Sequence, residues 1–86
     1  MKSLEKQLKA IANRRRLAIL KYLKQNKEAS VTEIALHIKL SFRSTSRHLA
    51  VLSAADILDR NQRSTQMFYR LSLSQESIIR HALSLL

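Results

Sequence analysis

The sequence predicts a mainly α, α+β domain in which four helices lead into a two-stranded β-hairpin and a fifth helix follows it. Apolar residues recur at three- and four-residue spacing through five segments, whereas between Ile57 and Leu71 the period shortens to two around a polar turn. The helix just before that hairpin is two-sided. At about 100° per residue, Thr45, Leu49 and Leu52 share one side and Arg43, Arg47 and Ala50 the opposite one, and no acid interrupts the run from Ser41 to Ala55.

The elements follow in order. A first helix over Ser3 to Ala12 carries Leu4, Leu8 and Ile11 as a stripe. Asn13 then caps RRRLAILKYLKQ, with Leu17, Leu20 and Leu23 expected to face inward and Asn26 and Lys27 ending the helix. Ser30 and Glu33 form a capping box, which satisfies two orphan backbone donors and starts VTEIALHI, with Ile34, Ala35 and Ile38 apolar. After a turn ending at Leu40, Ser41 caps the two-sided helix SFRSTSRHLAVLSAA. A short helix, a three-residue turn and a longer basic helix make a helix-turn-helix pattern.

Asp56 sits where a left-handed residue favours Gly. Strands are expected over Ile57 to Asn61 and Gln66 to Leu71, with Gln62, Arg63, Ser64 and Thr65 as a polar, basic tip. The closing helix, SQESIIRHALSLL, is capped within Ser72 to Ser74. Its Ile78, Ile79, Ala82, Leu83, Leu85 and Leu86 offer more apolar surface than one small core needs, which points to a dimer interface. The chain has no Gly or Pro, so Asn13, Asn26, Asp56 and Asn61 are the expected substitutes at tight turns.

Eighty-six residues read as one domain, residues 1–86, close to the size at which a single core barely offsets chain entropy. Sixteen Lys and Arg against six Asp and Glu leave a formal charge of +10, spread from Lys2 to Arg80. A polyanion is the natural partner, because neutralised phosphates release condensed counterions. No apolar run reaches the roughly 18 residues that span a bilayer, and the N-terminus lacks the apolar centre of a secretory signal. The expected location is therefore the cytoplasm, on the nucleoid, with no membrane partner. The absence of Cys removes disulfides, thiolate metal sites and thiol chemistry. Glu76 and His81 lie five residues apart, on different helix faces, so no metal or other cofactor is expected. With no Gly-rich phosphate loop, nucleophile elbow or paired carboxylates, an enzyme is not expected either.

Three stretches, LKAIANRRRLAILKYL, VTEIALHIKLSFRSTSRHLAVLSAADIL and the hairpin ending QMFYRLS, together resemble the ArsR family of bacterial and archaeal winged helix-turn-helix transcription regulators. The likeness covers roughly Leu4 to Leu85, and its sharpest motif is SRHLAVL at Ser46 to Leu52. It implies a homodimer built from the first and last helices, a fourth helix in the major groove and a hairpin wing along the backbone or minor groove. This chain departs from the family in carrying Asp56 and Ser64 where Gly is usual, and in lacking the cysteines of the family's metal sensors.

The resulting expectation is a homodimeric, sequence-specific double-stranded DNA-binding regulator, a repressor, acting on a pseudo-palindromic operator. A non-specific architectural DNA-binding protein and a protein-interaction module are the alternatives. Arg43, Ser44 and Arg47 are the candidate base readers, since Arg can hold guanine O6 and N7 bidentately. Ser41 and Ser46 are short donors near a helix N-terminus, suited to phosphate. His48 falls at the edge between the buried and open sides; the family's SRHL motif implies that it approaches DNA, and a half-buried structural histidine is the alternative. Arg60, Asn61, Arg63, Ser64 and Thr65 are the wing candidates, although an exposed hairpin is commonly polar anyway. Arg14, Arg15 and Arg16 open a helix at the positive end of its dipole. Either an external anion faces them, with Arg14 and Arg15 the backbone candidates, or Glu5, Glu28 or Glu33 neutralises them. Leu4, Leu8, Ile78, Ile79, Ala82, Leu83 and Leu86 are the candidate dimer residues. Among the aromatics, Phe42 and Tyr69 fit the core, and His37 follows the third helix's apolar stripe as a packing residue.

Overall fold

The computed structural model describes residues 3–86. Eight elements follow in order: α1 (Leu4–Ile11), α2 (Arg14–Gln25), β1 (Ala29–Ser30), α3 (Val31–Ile38), α4 (Phe42–Ala54), β2 (Leu58–Arg63), β3 (Gln66–Leu71) and α5 (Ser77–Ser84). Five helices and the hairpin appear as the sequence pattern predicts. The two-residue β1 was not foreseen. It pairs antiparallel with β3, Ala29 opposite Tyr69 and Ser30 opposite Phe68, so the sheet has three strands in the order β1-β3-β2.

Local chemistry explains the helix starts. The Asn13 side chain accepts from the backbone N–H groups of Arg15 and Arg16. Ser30 and Glu33 close the capping box, with the Ser30 N–H donating to Glu33 Oε1 at 2.8 Å. Ser41 Oγ accepts from the Ser44 N–H at 3.1 Å. The last helix differs from expectation. It begins at Ser77, with Glu76 as N-cap and no side-chain cap, because Gln75 turns inward and donates from Nε2 to the carbonyls of Ile57 (2.8 Å) and Ser72 (2.9 Å). At the other end of α5, Lys24 of α2 donates from Nζ to the carbonyls of Leu83 and Leu86 at 3.0 and 3.1 Å. A cation there satisfies orphan acceptors and opposes the helix dipole.

Among the described residues, three non-Gly positions have positive φ: Lys39 (57°), Asp56 (61°) and Ser64 (58°). Asp56 was expected; Asn13 and Asn26 are extended at −157° and −121°, and Asn61 lies within β2. Lys39 instead takes the left-handed C-cap of α3. At the wing tip Arg63 pairs with Gln66, leaving a two-residue turn whose first residue, Ser64, carries the positive φ. That is the type II′ requirement that Gly normally meets.

The core lies where α2, α3 and α4 converge over the sheet and α5. Ile19, Leu20, Leu23, Ile34, Leu49, Leu52, Ile57 and Ile79 are almost wholly enclosed. On α2 the inward position is Ile19 rather than Leu17, which is half-buried. Gln7 fastens α1 to the end of α4 by donating from Nε2 to the Ala55 carbonyl at 3.1 Å. Two aromatic expectations fail. Phe42 is 60% exposed because, as the first residue of α4, it stands ahead of the point where Thr45 enters the core, and His37 is exposed, its ring 4.3 Å from that of Tyr22. Tyr69 is buried as expected. No helix among the described residues is long and apolar enough to cross a membrane.

Candidate nucleic-acid interface

The two sides of α4 separate as its periodicity predicts. Thr45, Leu49 and Leu52 are each 0% exposed, which fixes the helix's rotation, whereas Ser41, Arg43, Arg47 and Ala50 are open to solvent and Ser44, Ser46 and His48 are partly covered. Neither Arg43 nor Arg47 makes an ion pair among the described residues. Both guanidinium groups therefore keep their donors for an external acceptor.

Beside this face stands the start of α2, and here the sequence left two readings. The acids that could neutralise Arg14–Arg16 are engaged elsewhere: Glu5 with Lys9 at 3.4 Å, Glu28 with Arg63, and Glu33 in its capping box. Arg14 and Arg15 are exposed, so a run of cations remains at the positive end of the α2 dipole. Arg16 behaves differently. Its Nε donates to the Ala10 carbonyl at 2.6 Å, its Nη2 reaches the Lys9 carbonyl at 3.5 Å, and its Nη1 meets His48 Nδ1 at 3.2 Å. Burial first, and then the positive charges of Arg16, Arg15 and Arg47, hold the His48 pKa below its usual 6.5.

The wing presents Arg60, Asn61, Arg63, Ser64 and Thr65, all exposed. Arg63 is restrained: Nη2 donates to Glu28 Oε2 at 2.5 Å and the guanidinium lies 4.6 Å from the centre of the Phe68 ring. Sequence reasoning missed both partners. Phe68 stands opposite Asn61 and meets Arg63 diagonally across the hairpin, and Glu28 comes alongside only because β1 joins the sheet.

Of the expected dimer residues, Leu4 (54%), Leu8 (39%) and Ile78 (45%) are exposed, while Ala82 and Leu86 are half-buried. Ile79 (0%) and Leu83 (9%) are enclosed by their own subunit, so the stripe of α5 is split. Ile79 and Leu83 serve the core, and Ile78 and Leu85, the latter 74% exposed, are left outside.

Helix-turn-helix, basic wing and an open recognition face together define a winged helix-turn-helix domain of the transcription-regulator class. Residues 13–60 match the model of the bacterial regulatory protein ArsR family, and the chain belongs to that family. It is 40% identical over 68 residues to the transcriptional activator HlyU of Vibrio cholerae, an alignment covering 79% of this chain and 62% of that relative's length. The solved structure of reduced HlyU superposes with a TM-score of 0.77 at 35% identity, over 91% of this chain and 78% of the other. The homodimeric winged helix-turn-helix DNA-binding domain of a possible ArsR-family regulator from Mycobacterium bovis gives 0.80 at 27% identity, over 95% and 72%. The transcriptional repressor PagR of Bacillus anthracis gives 0.75 at 26%, over 92% and 86%.

Proposed function

We propose that this chain acts as a homodimer that binds a pseudo-palindromic operator in double-stranded DNA and represses transcription where that operator overlaps a promoter. The observation that carries the reading is the split of α4: three side chains wholly enclosed, with Arg43 and Arg47 open and unpaired behind them. Arg43, Ser44 and Arg47 read base edges, while Ser41, Ser46 and His48 support them at the helix flanks. Arg14 and Arg15 hold backbone phosphate, and the wing residues Arg60, Asn61, Arg63, Ser64 and Thr65 follow the neighbouring backbone or minor groove.

Two copies related by a two-fold axis set the recognition helices about 34 Å apart, matching one turn of duplex. Leu4, Leu8 and Ile78 supply the exposed apolar part of that interface, and the Mycobacterium bovis domain is a homodimer. The sign of regulation follows from operator position. Relatives include one named an activator and one named a repressor. Such a protein works in the cytoplasm, on the nucleoid.

Footprinting on genomic DNA fragments at stated salt tests the proposal. Discrete protected sites with two-fold related halves are expected. Protection that follows no sequence would overturn the specific-operator reading in favour of an architectural one.

A further inference from the structure

Phe42 breaks the rule that its spacing announces. With Thr45, Leu49 and Leu52 it forms one helical stripe, yet those three are 0% exposed and Phe42 is 60% exposed. Among the described residues, three large apolar ones are more open still: Leu36 (75%) lies on α3, off the basic helix, while Leu73 and Leu85 lie beyond the wing and past the end of α5. What sets Phe42 apart is its place. It is the first residue of α4, next to Arg43, and it opens the row Phe42, Ser46, Ala50, which recurs every four residues alongside Arg43 and Arg47. Ser46 and Ala50 are small, so the row leaves room for a flat surface to approach the helix, with an aromatic ring projecting at its leading end.

The ring also borders an open groove of about 180 Å³ whose lining includes Val31, Thr32, Thr65 and Met67, between the first turn of α3 and the wing. The lining residues include no acid and the first turn of α4 carries none; Glu33, in the first turn of α3, accepts from the N–H of Ser30 on the groove wall at 2.8 Å. An apolar side chain at the base-reading end of a basic face, with the adjoining Glu33 carboxylate already engaged in its capping box, suits an apolar feature of a polyanion. In the major groove, duplex DNA offers one such group: the C5-methyl of thymine.

We infer, resting on the proposed operator binding, that Phe42 is a specificity-determining residue that packs against a thymine C5-methyl at the end of each half-site. Arg43 and Arg47 read hydrogen-bonding edges, and Phe42 adds a contact that hydrogen bonds cannot supply. It thereby distinguishes T·A from C·G at a position where the guanidinium groups do not reach.

The test replaces each thymine of an operator, recovered by selection from a random duplex pool, with deoxyuridine, which removes only the methyl. With the wild-type chain, one thymine in each half-site is expected to lose affinity about fourfold on replacement, the equivalent of one buried methylene-sized group. Phe42→Ser should bind thymine and deoxyuridine operators alike, whereas Phe42→Leu should retain most of the difference. Thermal melting checks that both variants fold, and the wild-type measurement stands without them. No penalty at any thymine, an undiminished penalty in Phe42→Ser, or a change of oligomeric state in Phe42→Ser with the penalty intact would overturn this inference alone. A pool that returns no consensus would overturn the operator reading and this inference with it.

Discussion

Arg16 joins three helices through one side chain, donating to the Ala10 carbonyl at the end of α1 and, from α2, to Nδ1 of His48 on α4 at 3.2 Å. A guanidinium can only donate, so His48 accepts at Nδ1 and is neutral, with its proton on Nε2. Protonation at Nδ1 would set two donors against each other and add charge beside Arg16, Arg15 and Arg47. No acid is among the groups that shift its pKa.

Stability should therefore depend on pH through His48. Its folded pKa lies below the unfolded value of 6.5, so the unfolded chain takes up the proton first as pH falls. The contribution is complete above 6.5 and is lost as pH falls through the depressed folded value. Thermal melting from about pH 7.5 to about pH 5 should show this loss in the wild type and a smaller one in His48→Gln. Equal losses would remove the role given to the Arg16–His48 contact.

The wing makes a different prediction. Glu28 neutralises Arg63 in the free protein, so a phosphate must compete with a carboxylate for that guanidinium. Glu28→Gln should tighten binding to operator and unrelated duplex alike. Arg63→Ala should weaken both alike and reduce the salt slope by at most about one. Fluorescence anisotropy titrations at several salt concentrations check both, and an effect confined to the operator would place Arg63 among the base readers instead.

Dimerisation is open to direct attack because its apolar contributors are separable from the core. Leu8 and Ile78 are exposed in the subunit, whereas Ile79 is not. Leu8→Glu with Ile78→Glu should give a folded monomer by sedimentation equilibrium, with operator affinity reduced at least 100-fold, on the order of the avidity lost when two sites are uncoupled. An unchanged mass would move the interface elsewhere.

Thr45 carries a buried hydroxyl without a hydrogen-bond partner among the described residues, on a residue that is 0% exposed. An unsatisfied buried polar group costs about 1 to 3 kcal/mol, and valine has nearly the same shape. Thr45→Val should therefore raise the denaturant midpoint, by about 1 kcal/mol in unfolding free energy. A lower midpoint would mean that the hydroxyl has a partner in solution.

Periodicity and capping made most of this fold legible. The N-caps Asn13, Ser30 and Ser41, and the buried side of α4, follow from side-chain chemistry within four residues of one another. What the sequence concealed depends on long-range placement. Two residues at β1 are too short to show a period, so Glu28's approach to Arg63 could not be read. Gln75 delays α5 through a bond to the distant Ile57 carbonyl, and Lys39 takes a left-handed turn because α3 must end abruptly before α4. The stripes of α5 and Phe42 mislead for one shared reason: period assigns a side to a residue but does not say whether the core extends far enough to cover it.

The central claim is that Arg47 reads a base from a dimer, and selecting duplexes from a random pool with wild type and Arg47→Ala side by side tests it most directly. Wild type should return an inverted repeat with half-site centres about 34 Å apart, and Arg47→Ala should lose preference at one symmetric pair of positions at a cost of about 1 to 3 kcal/mol. No repeat from the wild type, or the same consensus from both proteins, would contradict it.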